Sequence, residues 1–113
     1  MIQRGEIWWA SLPEPRGSEP GYRHPLVIVQ SDSFNRSGIQ TIIGVVLTTN
    51  LRLANAPGNV LLEKRQTGLP KDCVANISQF ITADKGVLTE RAGALPLRLL
   101  EKIEAGLRLV LEL

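Results

Sequence analysis

The chain has 113 residues, of which 43% are hydrophobic and 21% charged, and its formal net charge is +2 at pH 7. This length suits a single domain over residues 1–113, and the small charge excludes a polybasic, histone-like binder. With one cysteine there is no internal disulfide framework, and no apolar run is long enough to span a bilayer. The first six residues lack the apolar segment of a signal peptide, so we expect a cytoplasmic protein with no membrane partner.

The first third of the chain alternates between β-prone runs and turn residues. Residues 6–12 form the first predicted strand, and the proline- and glycine-containing residues 13–17 end it. Residues 25–30 are almost wholly apolar and rich in β-branched side chains, which is typical of a strand buried on both faces. Residues 31–35 are predicted as a turn or a single helical turn.

The middle of the chain continues the same alternation. Residues 41–47 are an apolar strand, in which Gly44 predicts a bulge or bend of the kind a small barrel needs at its corners. Residues 51–59 are predicted as a loop and residues 59–62 as a short strand. Residues 72–81 indicate either a strand pair or one bent strand.

The last segment has the hydrophobic period of a helix. Apolar side chains recur every three or four residues, at Leu97, Leu100, Ile103, Leu107, Val110 and Leu111, and the first four are expected to form the buried face. Pro96 suits the first turn, and Gly106 costs about 1 kcal/mol relative to alanine, so we expect close packing there. Five or six strands and one terminal helix predict a mainly β fold, a small bent barrel with a helical cap.

Two predicted strand ends carry the side chains that suggest chemistry. Arg23 and His24 lie where a polar loop meets the second strand, and His24 is the only histidine. A guanidinium fits phosphate oxygens, and an imidazole transfers protons near neutral pH. Thr48, Thr49 and Asn50 place two hydroxyls and an amide at the end of the third strand. These groups indicate a phosphodiester-cleaving site without a metal or another cofactor, and no second cysteine or histidine stands at metal-ligand spacing.

Five short motifs follow one another along nearly the whole chain. They are Arg4-Gly5-Glu6-Ile7-Trp8, Gly17-Ser18-Glu19 with Arg23-His24-Pro25, Gln30-Ser31-Asp32 with Asn35, Val46-Leu47-Thr48-Thr49-Asn50, and Thr82-Ala83-Asp84-Lys85 with Leu88. In this order the motifs resemble the MazF/PemK family of toxin endoribonucleases (mRNA interferases), whose SH3-like barrel is shared with the CcdB toxins. The resemblance implies a homodimer that cuts single-stranded RNA at short sequences without a metal. It also implies a cognate antitoxin with an acidic, apolar C-terminal segment, through which alone the toxin would associate with DNA.

The resemblance also implies catalytic positions. In the family, the arginine directly before the motif's proline and the threonine or serine at the strand end carry catalysis. Thr48 occupies the second position. The first position falls on His24 in an ungapped match, or on Arg23 if the loop shifts by one residue. We predict that Arg23 binds the scissile phosphate, that His24 moves a proton, and that Thr48 donates a hydrogen bond to a phosphate oxygen or orients the 2′-OH.

Six further residues are predicted to bind the substrate: Glu19, Tyr22, Thr49, Asn50, Asn76 and Gln79. Glu19 is expected either to pair with Arg23 or to serve as a base, and Tyr22 either to stack on a base or to anchor the loop. Thr49 and Asn50 are candidates for contacting a base edge. Asn76 and Gln79 lie near the RNA by resemblance, although amides at such positions also satisfy backbone groups.

A few other side chains are expected to have mainly structural roles. One of Trp8 and Trp9 is expected to face outward, because neighbouring strand residues alternate between faces. Cys73 is predicted as a small buried hydrophobe. Three basic residues indicate either a solvated hairpin or a contact with the RNA backbone: Lys64, Arg65 and Lys71.

Two other functions are compatible with the same barrel. One is a CcdB-like topoisomerase poison that acts by binding, and the other is a decayed toxin that binds RNA or antitoxin without efficient cleavage. A fold alone does not choose between such functions. The Gly17-Ser18-Glu19 loop and the basic pair before Pro25 favour the nuclease, because a pure binder needs no such cluster.

Overall fold

The computed structural model describes residues 1–18 and 22–113. In this part of the chain one antiparallel sheet contains six strands: β1 Glu6–Leu12, β2 Tyr22–Ile28, β3 Thr41–Thr48, β4 Val60–Leu62, β5 Cys73–Asp84 and β6 Leu88–Ala94. The helices are α1 Asp32–Asn35, α2 Lys64–Thr67 and α3 Leu97–Leu111, with 3₁₀ turns at Leu51–Asn55 and Lys85–Val87. The strand order is β4-β5-β3-β2-β1-β6, and the sheet curls into a half-barrel. The predicted mainly β fold with a C-terminal helix is confirmed.

The central strands are buried on both faces of the sheet. One core cluster lies beneath α3 and includes Val27, Leu47 and Ile103, whereas a second on the opposite face includes Leu26 and Ile28. Consecutive residues of β2 therefore divide between two cores, because their side chains alternate across the strand. The prediction of a strand buried on both faces is confirmed.

The buried face of α3 is turned relative to the predicted one. Leu100 and Ile103 are buried as expected, but Leu97 is 69% exposed and Leu99 is buried in its place. The reason is the contact at Gly106, where an added Cβ would lie 2.3 Å from the Gly58 carbonyl oxygen. This close approach seats the helix on the side of Leu99 and Gly106, and it confirms the expected tight packing at the glycine.

The strands differ from the sequence prediction in several places. β2 begins at Tyr22, ahead of the predicted start at Pro25, because β1 pairs with it from Leu12 opposite Tyr22 onward. β6 was not predicted at all. The predicted strand pair or bent strand is a single long strand, β5, with a register shift against β3 between Val45 and Leu47.

Gly44 has a role other than the predicted bulge. The β3–β5 register is regular across Gly44, which lies opposite Ile81. A Cβ at Gly44 would approach the Leu26 Cβ to 3.3 Å, so the glycine allows a close approach of β2 instead.

Three strand ends and one connecting segment meet at one end of the half-barrel. The start of β2 adjoins the end of β3, and Thr48 of β3 pairs with Val74 at the start of β5. The segment between α2 and β5 passes close to β6, because a Cβ on Gly68 would lie 2.3 Å from the Ala92 oxygen and one on Gly93 would lie 2.5 Å from the Thr67 oxygen. Two glycines thus position residues 69–71. Among the described residues, no helix has both the length and the apolar character needed to cross a membrane.

Candidate active site

A cavity of about 330 Å³ lies where these strand ends meet. Its walls come from Trp9 of β1, the start of β2, the end of β3 and the segment before β5. Arg23, His24 and Thr48 all border this one space. The three residues predicted to carry catalysis are therefore neighbours around a common cavity, although their roles stay predictions.

The Arg23 side chain contacts an aromatic ring and a carboxylate. Its guanidinium carbon lies 3.8 Å from the centroid of the Trp9 ring, and its Nη2 lies 3.5 Å from Glu90 Oε2. Arg23 and Trp9 share a face of the sheet, since Arg23 pairs with Ser11 and Trp9 pairs with Pro25. The Arg23 side chain is 56% exposed, so its donors remain accessible to a phosphate from solvent.

His24 lies on the alternate face of β2 but still borders the cavity. It pairs with Ala10, whereas Arg23 pairs with Ser11, so the two side chains leave the strand in opposite directions. Both side chains nevertheless border the cavity, because the cavity lies at the end of the sheet where β2 begins. A kink directly precedes the pair, at Tyr22 with its φ of 56°. His24 is half-buried.

The hydroxyl and amide groups after β3 divide between the cavity and a local turn. Thr48 Oγ1 accepts a hydrogen bond from the Asn50 backbone N–H at 3.2 Å, which leaves the hydroxyl hydrogen available for donation. The side-chain oxygen of Asn50 accepts from the Arg52 N–H and caps the 3₁₀ turn. Thr49 borders the cavity, whereas Asn50 is not among its lining residues.

Asn76 and Gln79 form an amide chain away from the cavity. Asn76 Nδ2 donates to Gln79 Oε1 at 3.1 Å, and Asn76 Oδ1 accepts from Asn59 Nδ2 at 3.2 Å. Gln79 Nε2 donates to the Ser18 carbonyl oxygen at 2.9 Å, and Asn59 Oδ1 accepts from the Ile77 N–H. Gln79 thus satisfies a backbone carbonyl group, whereas among the described residues the Asn76 amide bonds only to other side chains, and the chain of bonds ties β5 to Ser18.

The two remaining candidates, Glu19 and Tyr22, shortly precede Arg23 in the sequence. Tyr22 is 64% exposed and is not part of the cavity lining, while its backbone N–H donates to the Pro13 carbonyl oxygen at 3.4 Å. Glu19 lies outside the described residues, so its expected pairing with Arg23 does as well. The carboxylate observed beside Arg23 is that of Glu90.

The residues left out of the predicted site include Trp9, Lys71 and Cys73, which line the cavity, and Glu90, which lies beside Arg23. Lys71 was predicted either as part of a solvated hairpin or as a contact with the RNA backbone, and one of Trp8 and Trp9 was expected to face outward. Glu90 gave no signal because its strand was not predicted. Cys73, 3% exposed, forms part of the wall, which confirms it as a small buried hydrophobe. Burial raises the pKa of the Cys73 thiol, and the charge of Asp72 raises it further.

Comparison with known proteins identifies the family. Residues 3–111 match the family model described as "PemK-like, MazF-like toxin of type II toxin-antitoxin system". The chain is 44% identical over 113 residues to Endoribonuclease MazF2 of Mycobacterium bovis and to Endoribonuclease MazF6 of Mycobacterium tuberculosis, matches that cover 100% of this chain and 99% of each relative. It is 37% identical over 91 residues to Endoribonuclease MazF of Staphylococcus epidermidis, covering 80% of this chain and 75% of that protein.

Solved structures share the fold. A structure titled "Endoribonuclease in complex with its cognate antitoxin from Mycobacterial species" matches with a TM-score of 0.81 and 23% identity, covering 100% of this chain and 97% of that one. MazF (Form-I) from Deinococcus radiodurans matches with a TM-score of 0.82 and 18% identity, covering 99% and 97%. The family model spans nearly the whole sequence, and the full-length relatives are 44% identical. The chain therefore belongs to the PemK-like, MazF-like toxin family of type II toxin–antitoxin systems.

Proposed function

We propose that this endoribonuclease toxin cuts single-stranded RNA at short sequences, by attack of a ribose 2′-OH on the adjacent phosphorus and without a metal. Membership of the toxin family and relatives named as endoribonucleases support RNA cleavage. The observation that carries the assignment of the site is the cavity bordered jointly by Arg23, His24 and Thr48.

The proposed reaction needs two proton transfers and one anion-binding site. As the 2′-OH attacks, it loses a proton, the P–O5′ bond breaks, and the departing 5′ oxygen gains a proton. The products are a 2′,3′-cyclic phosphate and a 5′-hydroxyl. His24 handles one of the two proton transfers, a contribution of about 10²–10⁴-fold for a positioned acid or base.

Arg23 and Thr48 act on the phosphate itself. Negative charge builds on the non-bridging oxygens in the transition state, and donors already aimed at those oxygens stabilise it most. The planar guanidinium of Arg23 offers paired donors, and the Thr48 hydroxyl offers a single one. The partly enclosed cavity strengthens both interactions, because less water screens them.

The proposed partners follow from the family and from charge. Type II toxins are paired with an antitoxin, and one solved relative is titled as a complex with its cognate antitoxin. We propose that an acidic, apolar antitoxin segment binds this protein, favoured by the positive charges of Arg23 and Lys71 beside the cavity. We further propose a cytoplasmic homodimer whose association with DNA runs through the antitoxin alone.

Digestion of RNA in EDTA tests the proposed function. The purified protein is incubated with a single-stranded RNA and with the same sequence carrying 2′-deoxyribose throughout. Discrete fragments ending in 2′,3′-cyclic phosphate from the RNA, with the DNA-like strand intact, support the mechanism. RNA that is bound but uncut indicates a decayed toxin, and inhibition of a topoisomerase without RNA binding indicates a CcdB-like poison.

A further inference from the structure

A second cavity adjoins the candidate active site. It has a volume of about 410 Å³ and is lined by Thr49, Leu51, Lys64, Pro70, Lys71 and Asp72. Thr49, Pro70 and Lys71 also line the first cavity. The two cavities are therefore adjacent and share part of their walls, and we call the two together, from Arg23 past Lys71 to Lys64, the basic track.

The charges along the basic track favour an anion. Lys64 and Lys71 are both exposed, and within residues 1–18 and 22–113 no carboxylate oxygen lies within 4.0 Å of either ammonium. The neighbouring Arg65 differs, since its Nη2 lies 3.3 Å from Glu63 Oε1. Asp72 also lines the track, but its Oδ1 accepts the Lys64 backbone N–H at 2.8 Å and so serves the start of α2.

The backbone at Lys71 is fixed by buried neighbours on both sides. Leu69 is 5% exposed, and its N–H donates to Thr67 Oγ1 at 3.0 Å. Cys73 is buried, and its Sγ donates to the Lys71 carbonyl oxygen at 3.5 Å. An ammonium carried on a fixed backbone segment loses less conformational freedom on binding than one on a loose loop.

We propose that the basic track binds a second phosphate of the RNA, on a nucleotide flanking the scissile link, with Lys71 and Lys64 as its ligands. This inference rests on the proposed RNA cleavage. A lysine ammonium neutralises a phosphate as a point charge without reading a base, so the track raises affinity for all sequences alike. The basic track therefore contributes to the salt dependence of RNA binding, while residues outside it determine which RNA sequence is recognised.

The salt dependence of RNA binding tests this proposal. The RNA carries a single 2′-deoxyribose at the scissile nucleotide, so that it binds without being cut. Lys71→Ala and Lys64→Ala each weaken binding several-fold. Each also makes the negative slope of log affinity against log salt less steep by about 0.7, the value for one phosphate on a single strand. Lys102→Ala, an exposed lysine on α3 outside the track, keeps the wild-type affinity and slope.

Truncation of the RNA gives an independent readout. Nucleotides are removed one at a time from either end, and one of these truncations removes the phosphate that the track holds. That step weakens binding to the wild-type protein but has no effect on the Lys64→Ala/Lys71→Ala double variant, because the lost contact is the same one.

Three results separate the possible failures. The phosphate-binding role of the basic track is overturned if both lysine variants keep the wild-type salt slope. It is also overturned if the truncation effect persists in the double variant. In both cases RNA cleavage by the wild-type protein is unaffected. Absence of RNA cleavage by the wild-type protein overturns the proposed function itself. If Lys64→Ala and Lys71→Ala weaken binding of an acidic antitoxin peptide but leave RNA binding unaltered, the basic track belongs to the protein partner. That result overturns the RNA proposal.

Discussion

The guanidinium of Arg23 stacks on the ring of Trp9 at 3.8 Å, and both side chains border the candidate active site. The position of the tryptophan backbone is fixed in turn, because its carbonyl oxygen accepts a hydrogen bond from Thr89 Oγ1 at 3.2 Å. An exposed cation–π contact contributes about 0.5–1 kcal/mol. Trp9 therefore orients the cation that the proposed mechanism places on the scissile phosphate.

Removal of the ring is expected to slow cleavage. Trp9→Leu lowers kcat/KM about two- to fivefold, the rate equivalent of one exposed cation–π contact, while Trp9→Phe keeps most of the activity. Single-turnover cleavage, run well below the unfolding transition of each variant, measures the effect. Trp8→Leu is the matched control, because Trp8 packs in the opposite core cluster and does not line the cavity. Equal losses in the two leucine variants would assign the effect to stability.

Glu90 is expected to compete with the RNA for Arg23. The two side chains are 3.5 Å apart and both largely exposed, so the pair is weak and a phosphate displaces the carboxylate. Glu90→Gln therefore tightens RNA binding a few-fold, with the gain largest at low salt. Titration of uncleavable RNA measures it, with Glu101→Gln on the exposed face of α3 as control. Weaker binding would instead make Glu90 a residue that orients Arg23.

Gly93 is expected to control both stability and the shape of the cavity. A Cβ at this position would lie 2.5 Å from the Thr67 carbonyl oxygen, so Gly93→Ala pushes α2 and residues 69–71 away from β6. We expect the free energy of unfolding to fall by about 1–3 kcal/mol, as for other overpacked sites, together with the cleavage rate. Urea unfolding checks the first effect. Gly38→Ala, where a Cβ would meet nothing within 4 Å, provides a neutral control.

Glu6 is expected to contribute to acid sensitivity. Burial raises the pKa of its carboxyl, but hydrogen bonds from Trp8, Arg91 and the Gln3 backbone outweigh burial and hold the pKa below the usual range. A group with a lowered folded-state pKa stabilises the fold above its unfolded pKa, about 4.3, and loses this contribution as the pH falls through the folded value. Glu6→Gln therefore lowers stability at pH 7 and flattens the acid limb of the urea midpoint plotted against pH. An acid limb as steep as in the wild type would contradict this assignment.

The sequence predicted those elements whose pattern is local. β1 has the predicted bounds, and α3 spans the predicted periodic segment, because strand-prone runs and helical spacing are visible within a few residues. β6 was missed since Leu88–Ala94 is an edge strand with largely exposed, small or charged side chains, and it forms only by pairing with β1. The rotation of α3 was equally invisible, because it depends on the contact of Gly106 with Gly58.

The site was predictable where its residues are close in sequence to strand ends. Arg23 and His24 lie at the start of β2, and Thr48 lies at the end of β3. Because β2 and β3 pair antiparallel, these two ends are adjacent and the three side chains border one cavity. The partners of these residues come from distant segments, as Glu90 and Lys71 do, and no local pattern links them to Arg23. The amides of Asn76 and Gln79 illustrate the same limit, because their use depends on Asn59 and Ser18.

The central claim is that Arg23, His24 and Thr48 act on a single phosphodiester link. Single-turnover cleavage of RNA in EDTA by the three alanine variants, from about pH 5 to 8, tests this most directly. We expect each variant to lose about tenfold or more in rate, and Arg98→Ala on the exposed surface of α3 to match the wild type. Full activity of His24→Ala across this range would make the histidine a bystander, and wild-type rates in all three variants would contradict the account.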